Sequence, residues 1–285
     1  MDPILLAIIS AVILGLNASI IRMGVNRKPF SLNSIITFFT TAVILWLFAF
    51  IVKSPLPSLE AWPYFIIAGI LAPGFAAILT FESFKKTGVA FTTSLVAISP
   101  LFATGLALII LKEKINVPIA LGTILIVFGI FFLSWFRPKR HVKLSDLWLA
   151  IAGAAFIGFA TTITKFGLNI SNLPYSAIAI STSAGAITLF IIISALKKWN
   201  TISKTFHDAK FFIISGFFFS IGIMIFFIAL SVGDVTVLFP LNRTQPLFAM
   251  LFAWFLLKKQ DHITRYTVAG AIAIVSGAFL ISMGA

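Results

Sequence analysis

Cysteine is absent from the 285 residues. That excludes a disulfide framework, a thiol nucleophile and a thiolate metal site. Histidine occurs three times, at His141, His207 and His262. Each falls in a polar connection between apolar runs, so no metal centre and no other cofactor is expected. Charge is scarce: 10% of the residues are charged, against about 25% in a soluble domain. Acids are scarcer still, with eight Asp and Glu against 21 Lys and Arg, for a net charge of +13. No Walker-type phosphate loop is present, which argues against ATP-driven pumping by this chain. No carboxylate pair or Ser-His-acid set stands at a readable spacing, so an enzyme is not expected. The start, Met1-Asp2-Pro3, lacks a basic n-region and a cleavage site, and reads as the opening of a spanning helix, not a cleaved signal.

What the sequence has in excess is apolar length. Hydrophobic residues make up 60% of the chain, and 32 of its residues are Phe. A mean hydropathy of +1.11 over this length is that of a multi-pass membrane protein. Ten apolar runs can be cut out, at residues 3–24, 33–52, 61–81, 89–111, 117–136, 147–168, 175–196, 210–231, 235–257 and 264–284. In this setting the basic excess points to membrane orientation and anionic lipid, not nucleic acid. Fifteen Lys and Arg follow the odd-numbered spans, whereas the opposite set holds only Lys53, Lys112 and Lys114. The positive-inside rule then predicts a plasma-membrane protein with both termini outside the cytoplasm.

The halves repeat. Gly15, Arg22 and Gly24 match Gly158, Lys165 and Gly167 at an offset of 143. Pro100-Leu101-Phe102 matches Pro246-Leu247-Phe248 at 146, and Gly122 and Gly129 match Gly270 and Gly277 at 148. Residues 1–140 and 141–285 therefore read as two units of five spans each. Five is odd, so the second unit sits upside down relative to the first. The expected fold is an all-α integral membrane protein, ten transmembrane helices in two inverted five-helix repeats, with a small-molecule site near the midplane where the repeats meet. One chain supplies both halves, so a monomer is the expected unit. The glycine stripes of spans 5 and 10 leave a homodimer open.

The stretch from Val235 to Leu257 carries the sharpest functional signal. It is long enough to span, yet holds Asn242, Arg243 and Gln245 between Pro240 and Pro246. At 1.5 Å per residue Arg243 lies about 12 Å into the run. A guanidinium at that depth needs a cavity or a partner, and its fixed donors suit a carboxylate or phosphate. The prolines remove backbone donors and free carbonyls. Arg243, Asn242 and Gln245 are the expected binding residues, with Asn17 of span 1 beside them and Pro100, Pro240 and Pro246 as helix irregularities. Arg22 and Glu82 close spans on one face, and Lys165 and Asp234 flank the other. They are expected as two opposing gate contacts, weighed against simple interfacial snorkelling. Thr161, Thr162, Thr164 and Ser181–Ser183 are expected as packing hydroxyls.

Ser99-Pro100-Leu101-Phe102 followed by Leu111-Lys112-Glu113, and Gln245-Pro246-Leu247-Phe248 in the second half, resemble the EamA family of the drug/metabolite transporters. The glycines of the closing spans fit it, and the resemblance covers the whole chain. It implies a transporter of small polar metabolites, with export of amino acids or related compounds the first reading; an organic-anion or phosphorylated-metabolite exchanger is the alternative. The sequence departs from the pattern in two places. Lys259 stands where the acid Glu113 would recur, and span 1 has no acid between Leu5 and Gly24.

Overall fold

The computed structural model describes residues 2–25, 30–87, 89–133, 144–195, 206–256 and 265–285. Among the described residues it is helical, with no strand. The helices are α1 (Pro3–Val25), α2 (Phe30–Ile51), α3 (Trp62–Gly69), α4 (Ala76–Thr87), α5 (Val89–Val96), α6 (Ser99–Leu106), α7 (Val117–Leu133), α8 (Leu144–Ile170), α9 (Pro174–Ala195), α10 (Phe206–Val232), α11 (Val235–Asn242), α12 (Gln245–Leu256) and α13 (Arg265–Gly284). In lipid every backbone polar group needs an internal partner, which leaves uncharged apolar segments little choice but helix. Among the described residues seven stretches are long and apolar enough to cross a membrane, including Pro3–Ile21, Asp146–Ile170, Pro174–Ala195 and Ala209–Val232. Ile35–Ile51 and Val117–Leu133 are apolar but shorter.

Three of the ten runs are interrupted among the described residues, two of them beside the expected irregularities Pro100 and Pro246. The third changes to a π-turn over Ile70–Phe75, where Ala72 takes extended angles before the cis Ala72–Pro73 bond. The fourth breaks at Ala97–Ile98, and the ninth at Arg243–Thr244. Pro100 and Pro246 each occupy the second position of the helix that restarts, where a missing N–H costs nothing. Pro240 lies inside α11 without ending it, so its irregularity is confined to the carbonyl it leaves free.

The two breaks agree bond by bond at the 146-residue offset. Ala97 N–H donates to Thr93 at 3.1 Å, as Arg243 N–H does to Phe239 at 3.0 Å. Ile98 donates to Leu95 at 3.2 Å, as Thr244 does to Leu241 at 3.1 Å. Leu101 donates to Ile98 at 2.9 Å, as Leu247 does to Thr244 at 3.0 Å.

Glycines set the closest approaches. A Cβ on Gly122 would lie 2.5 Å from the Gly277 carbonyl oxygen, and one on Gly129 2.8 Å from that of Gly270. The reciprocal distances are 2.6 Å and 2.6 Å. α7 and α13 thus run antiparallel with their glycine stripes spent on each other. A second set of contacts locks each half to the other. α1 packs on α10 and α12, while α8 packs on α4 and α6.

Candidate functional site

The break at Arg243–Thr244 joins the short helices α11 and α12 and carries the polar run Asn242-Arg243-Thr244-Gln245. All eight residues of α11 are buried. Arg243 has φ −74° and ψ 0°, off the helix, which turns its side chain away from the ladder. The guanidinium lies over the Phe239 ring, 4.5 Å from its centroid. Its Nε is buried with no hydrogen-bond partner. No ion pair to Arg243 occurs among the described residues, so the stacked ring is the main neutral support for the charge.

Asn242 and Gln245 are committed differently. Gln245 Nε2 donates to Asn242 Oδ1 at 3.0 Å, Asn242 Nδ2 donates to Ser10 Oγ at 2.8 Å, and Ser10 Oγ donates to the Gly222 carbonyl at 2.7 Å. This relay ties α12, α11, α1 and α10 together across 232 residues of chain. It spends both Asn242 side-chain groups on neighbours. Asn17 is the converse: it is 4% exposed, and its Oδ1 has no partner.

Asn17 stands two residues past Gly15, where α1 meets α12. A Cβ on Gly15 would lie 2.6 Å from Phe248 Cβ and 2.9 Å from Ala249 N. One on Gly158 would lie 2.9 Å from Phe102 Cβ and 2.8 Å from Ala103 N. The hydroxyls four residues on repeat the match. Ser19 Oγ donates to the Ala249 carbonyl at 3.0 Å, and Thr162 Oγ1 to that of Ala103 at 3.1 Å. Each contact joins the early helix of one half to the broken span of the other. Pro246 and Pro100 lack the N–H groups that the Asn242 and Val96 carbonyls would accept in an unbroken helix. Ser99 Oγ, at the second break, is fully buried and also without a partner.

The residues expected at the gates are placed as follows. Lys165, 8% exposed, donates to the Leu230 carbonyl at 2.8 Å. Asp234 and Glu113 are the carboxylates whose charge acts on it. A direct Lys165–Asp234 ion pair is not found among the described residues, and Asp234 is exposed. At the other end Glu82 pairs with Lys85 at 2.6 Å, one turn along its own helix. Arg22 is helical in backbone, but its side chain lies outside the described residues. The hydroxyls expected to pack do so in three cases: Thr161 back-bonds to Ile157 at 3.0 Å, Thr162 to Gly158 at 3.3 Å and Ser183 to Ala179 at 2.8 Å.

Sequence reasoning passed over Glu113 as a contact. Its Oε1 accepts the Val235 N–H at 2.9 Å and its Oε2 the Thr236 N–H at 2.9 Å. The available signal was an acid ending one span on the face where α11 begins. A surface depression of about 360 Å³, lined by Trp46, Ala49, Phe50, Lys53 and Ser54, includes none of these residues.

Comparison with known proteins gives the family and the fold. The EamA-like transporter family matches residues 2–135 and again residues 144–283. An uncharacterized transporter of Archaeoglobus fulgidus is 22% identical over 282 residues, covering 99% of this chain and 98% of that protein. The uncharacterized transporter YoaV of Bacillus subtilis is 25% identical over 300 residues, covering 98% and 97%. A crystal structure of a protein 14% identical superposes with a TM-score of 0.78 over 99% of this chain and 96% of that one, a likeness of fold.

Proposed function

This chain belongs to the EamA-like transporter family, within the drug/metabolite transporter superfamily, and from that premise we propose that it is a secondary active transporter exporting amino acids or related small polar metabolites by alternating access. The observation that carries the reading is the helix break at Arg243. A guanidinium with a buried Nε and no acid paired to it among the described residues, beside freed helix-end carbonyls, offers one group for a carboxylate and another for an ammonium. Asn17 adds an unpaired acceptor. Asn242 and Gln245 hold the break in place, and the side of Gln245 that faces away from Asn242 is left for substrate.

The two breaks and the two matched glycine contacts support inverted five-helix repeats, residues 1–140 and 141–285. The long apolar helices, the two shorter ones and the broken α11–α12 stretch together make up ten spans. The chain ends lie at one end of the molecule. Gly233 approaches Pro3, and Asn116 Nδ2 donates to the Gly284 carbonyl at 2.6 Å. Lys112 and Lys114 share that sparsely basic end, which supports both termini outside the cytoplasm in the plasma membrane, with the chain acting as a monomer. Lys165 and Asp234 would gate this face and Arg22 and Glu82 the other.

A second reading, exchange of organic anions or phosphorylated metabolites, is favoured by the lack of any acid paired with Arg243 among the described residues. Uptake of a labelled panel into proteoliposomes, amino acids beside sugar phosphates, with and without preloading, separates the two. Amino-acid uptake without preloading supports the exporter. Uptake of phosphorylated compounds only against a preloaded interior supports the exchanger. No uptake of any compound under either condition counts against both.

A further inference from the structure

We propose that Glu113 is a clasp that closes the substrate pathway at the end of the molecule holding both termini, and that it must release each time this face opens. The inference rests on the alternating-access reading above.

α11 begins with backbone N–H groups that no preceding turn can satisfy. Asp234 stands at its N-cap and is of a type that commonly caps, yet it makes no side-chain cap bond. The two donors go instead to Glu113, 122 and 123 residues away in the other half of the chain. The local backbone is shaped for this. A π-turn over Ala107–Leu111 ends at Lys112, which takes φ 55° and ψ 30°, a left-handed conformation uncommon outside glycine. The chain reverses there, and Glu113 N–H bonds back to the Ala107 carbonyl at 3.3 Å. Its carboxylate is thereby delivered to the start of α11.

The adjoining helix end is held by the opposite charge. α10 ends at Val232, and the Lys165 ammonium from α8 takes the Leu230 carbonyl. An anion therefore meets the positive end of α11 and a cation the negative end of α10. The corner between them, residues 231–234, is gripped from both sides. Asn172 Nδ2 adds a bond to the Ser231 carbonyl at 3.3 Å.

Thr236 lies directly under this grip. It is fully buried, and its Oγ1 has no partner. A buried hydroxyl without a partner calls for a reason, and a place on a pathway that opens when the clasp releases supplies one. The clasp is also one-sided in chemistry. The 146-residue offset sets Lys259 against Glu113, and Val89 and Ala90 against Val235 and Thr236. A lysine carries donors only, so Lys259 cannot accept as Glu113 does, and the clasp is not repeated residue for residue at the matching position.

The natural chain contains no cysteine, so a single reporter needs no background mutations. Thr236→Cys is read by a membrane-impermeant maleimide in proteoliposomes, with Thr87→Cys at the other end as reference. With Glu113 intact, Thr236→Cys labels slowly. Adding Glu113→Gln, which replaces one acceptor oxygen by a donor, is expected to raise that rate at least tenfold while labelling of Thr87→Cys does not rise. Equal loosening at both reporters means a merely structural contact and overturns the proposal. So does an unchanged rate at Thr236→Cys. A Glu113→Gln protein that is not recovered folded overturns it too, since a bond the fold requires cannot break in every cycle. Failure of the transporter reading is seen separately, in panel uptake by the wild type.

Discussion

At the residue scale the account turns on which polar groups are spent and which are free. Arg243 has a ring beneath it and no acid beside it among the described residues. Removing an unpaired buried cation leaves no stranded partner, so Arg243→Ala should leave thermal stability intact or raised. Loss of a charge-assisted contact of about 1.5–3 kcal/mol should lower uptake by about 10- to 100-fold. Asn242→Ala has the opposite profile. It strands Gln245 Nε2 and removes the donor to Ser10 Oγ, which keeps its bond to Gly222, and is expected to cost about 1–3 kcal/mol, seen as a lower unfolding temperature in detergent. The sequence made 242–245 conspicuous, because four polar residues between two prolines have no business in a lipid-facing run. It gave no means of separating Arg243 from its neighbours. That separation depends on Ser10, which a linear reading places in an unrelated helix.

At the scale of single elements, the interruptions matter more than the helices. Apolar length told where helices lie, and their ends fall close to the expected boundaries, as with Pro3–Val25 for 3–24 and Pro174–Ala195 for 175–196. The breaks were legible only as proline positions. Pro240 was expected to disturb its helix and is carried inside α11, whereas Pro73, which was not singled out, coincides with a π-turn. A proline shows which donor is missing; packing decides whether the chain bends there. Glycines at the breaks carry a clear consequence. Gly158→Val would push a side chain against Ser99 O, 2.7 Å from the Cβ position. Overpacking of this kind costs about 1–3 kcal/mol, measurable as a lower unfolding temperature. The cap on α11 is testable in the same way: Glu113→Gln should speed amide hydrogen exchange at Val235 and Thr236. Exchange in the α7–α13 pair should stay unchanged.

At the scale of the whole molecule, sequence offsets and spatial contacts tell one story. The offsets of 143 and 146 are matched by equivalent bonds at Ser19 and Thr162 and at the two breaks. That the halves interlock, α1 on α12 and α8 on α6, was not legible, because a repeat in sequence does not say which copy of a partner each helix meets. The proposed orientation rests on the Lys and Arg asymmetry alone and is checked by labelling intact cells with an impermeant maleimide. Lys114→Cys should react from outside, and Lys85→Cys only after permeabilisation; the reverse pattern would turn the molecule over. The central claim is that substrate binds at the break of α11 and α12 through Arg243. The most direct test is the initial rate of uptake into proteoliposomes for wild type and Arg243→Ala, normalised to folded protein. A fall of about 10- to 100-fold with unchanged unfolding temperature is the predicted result. Wild-type rates from the Arg243→Ala protein would contradict it and reduce the break to a packing feature.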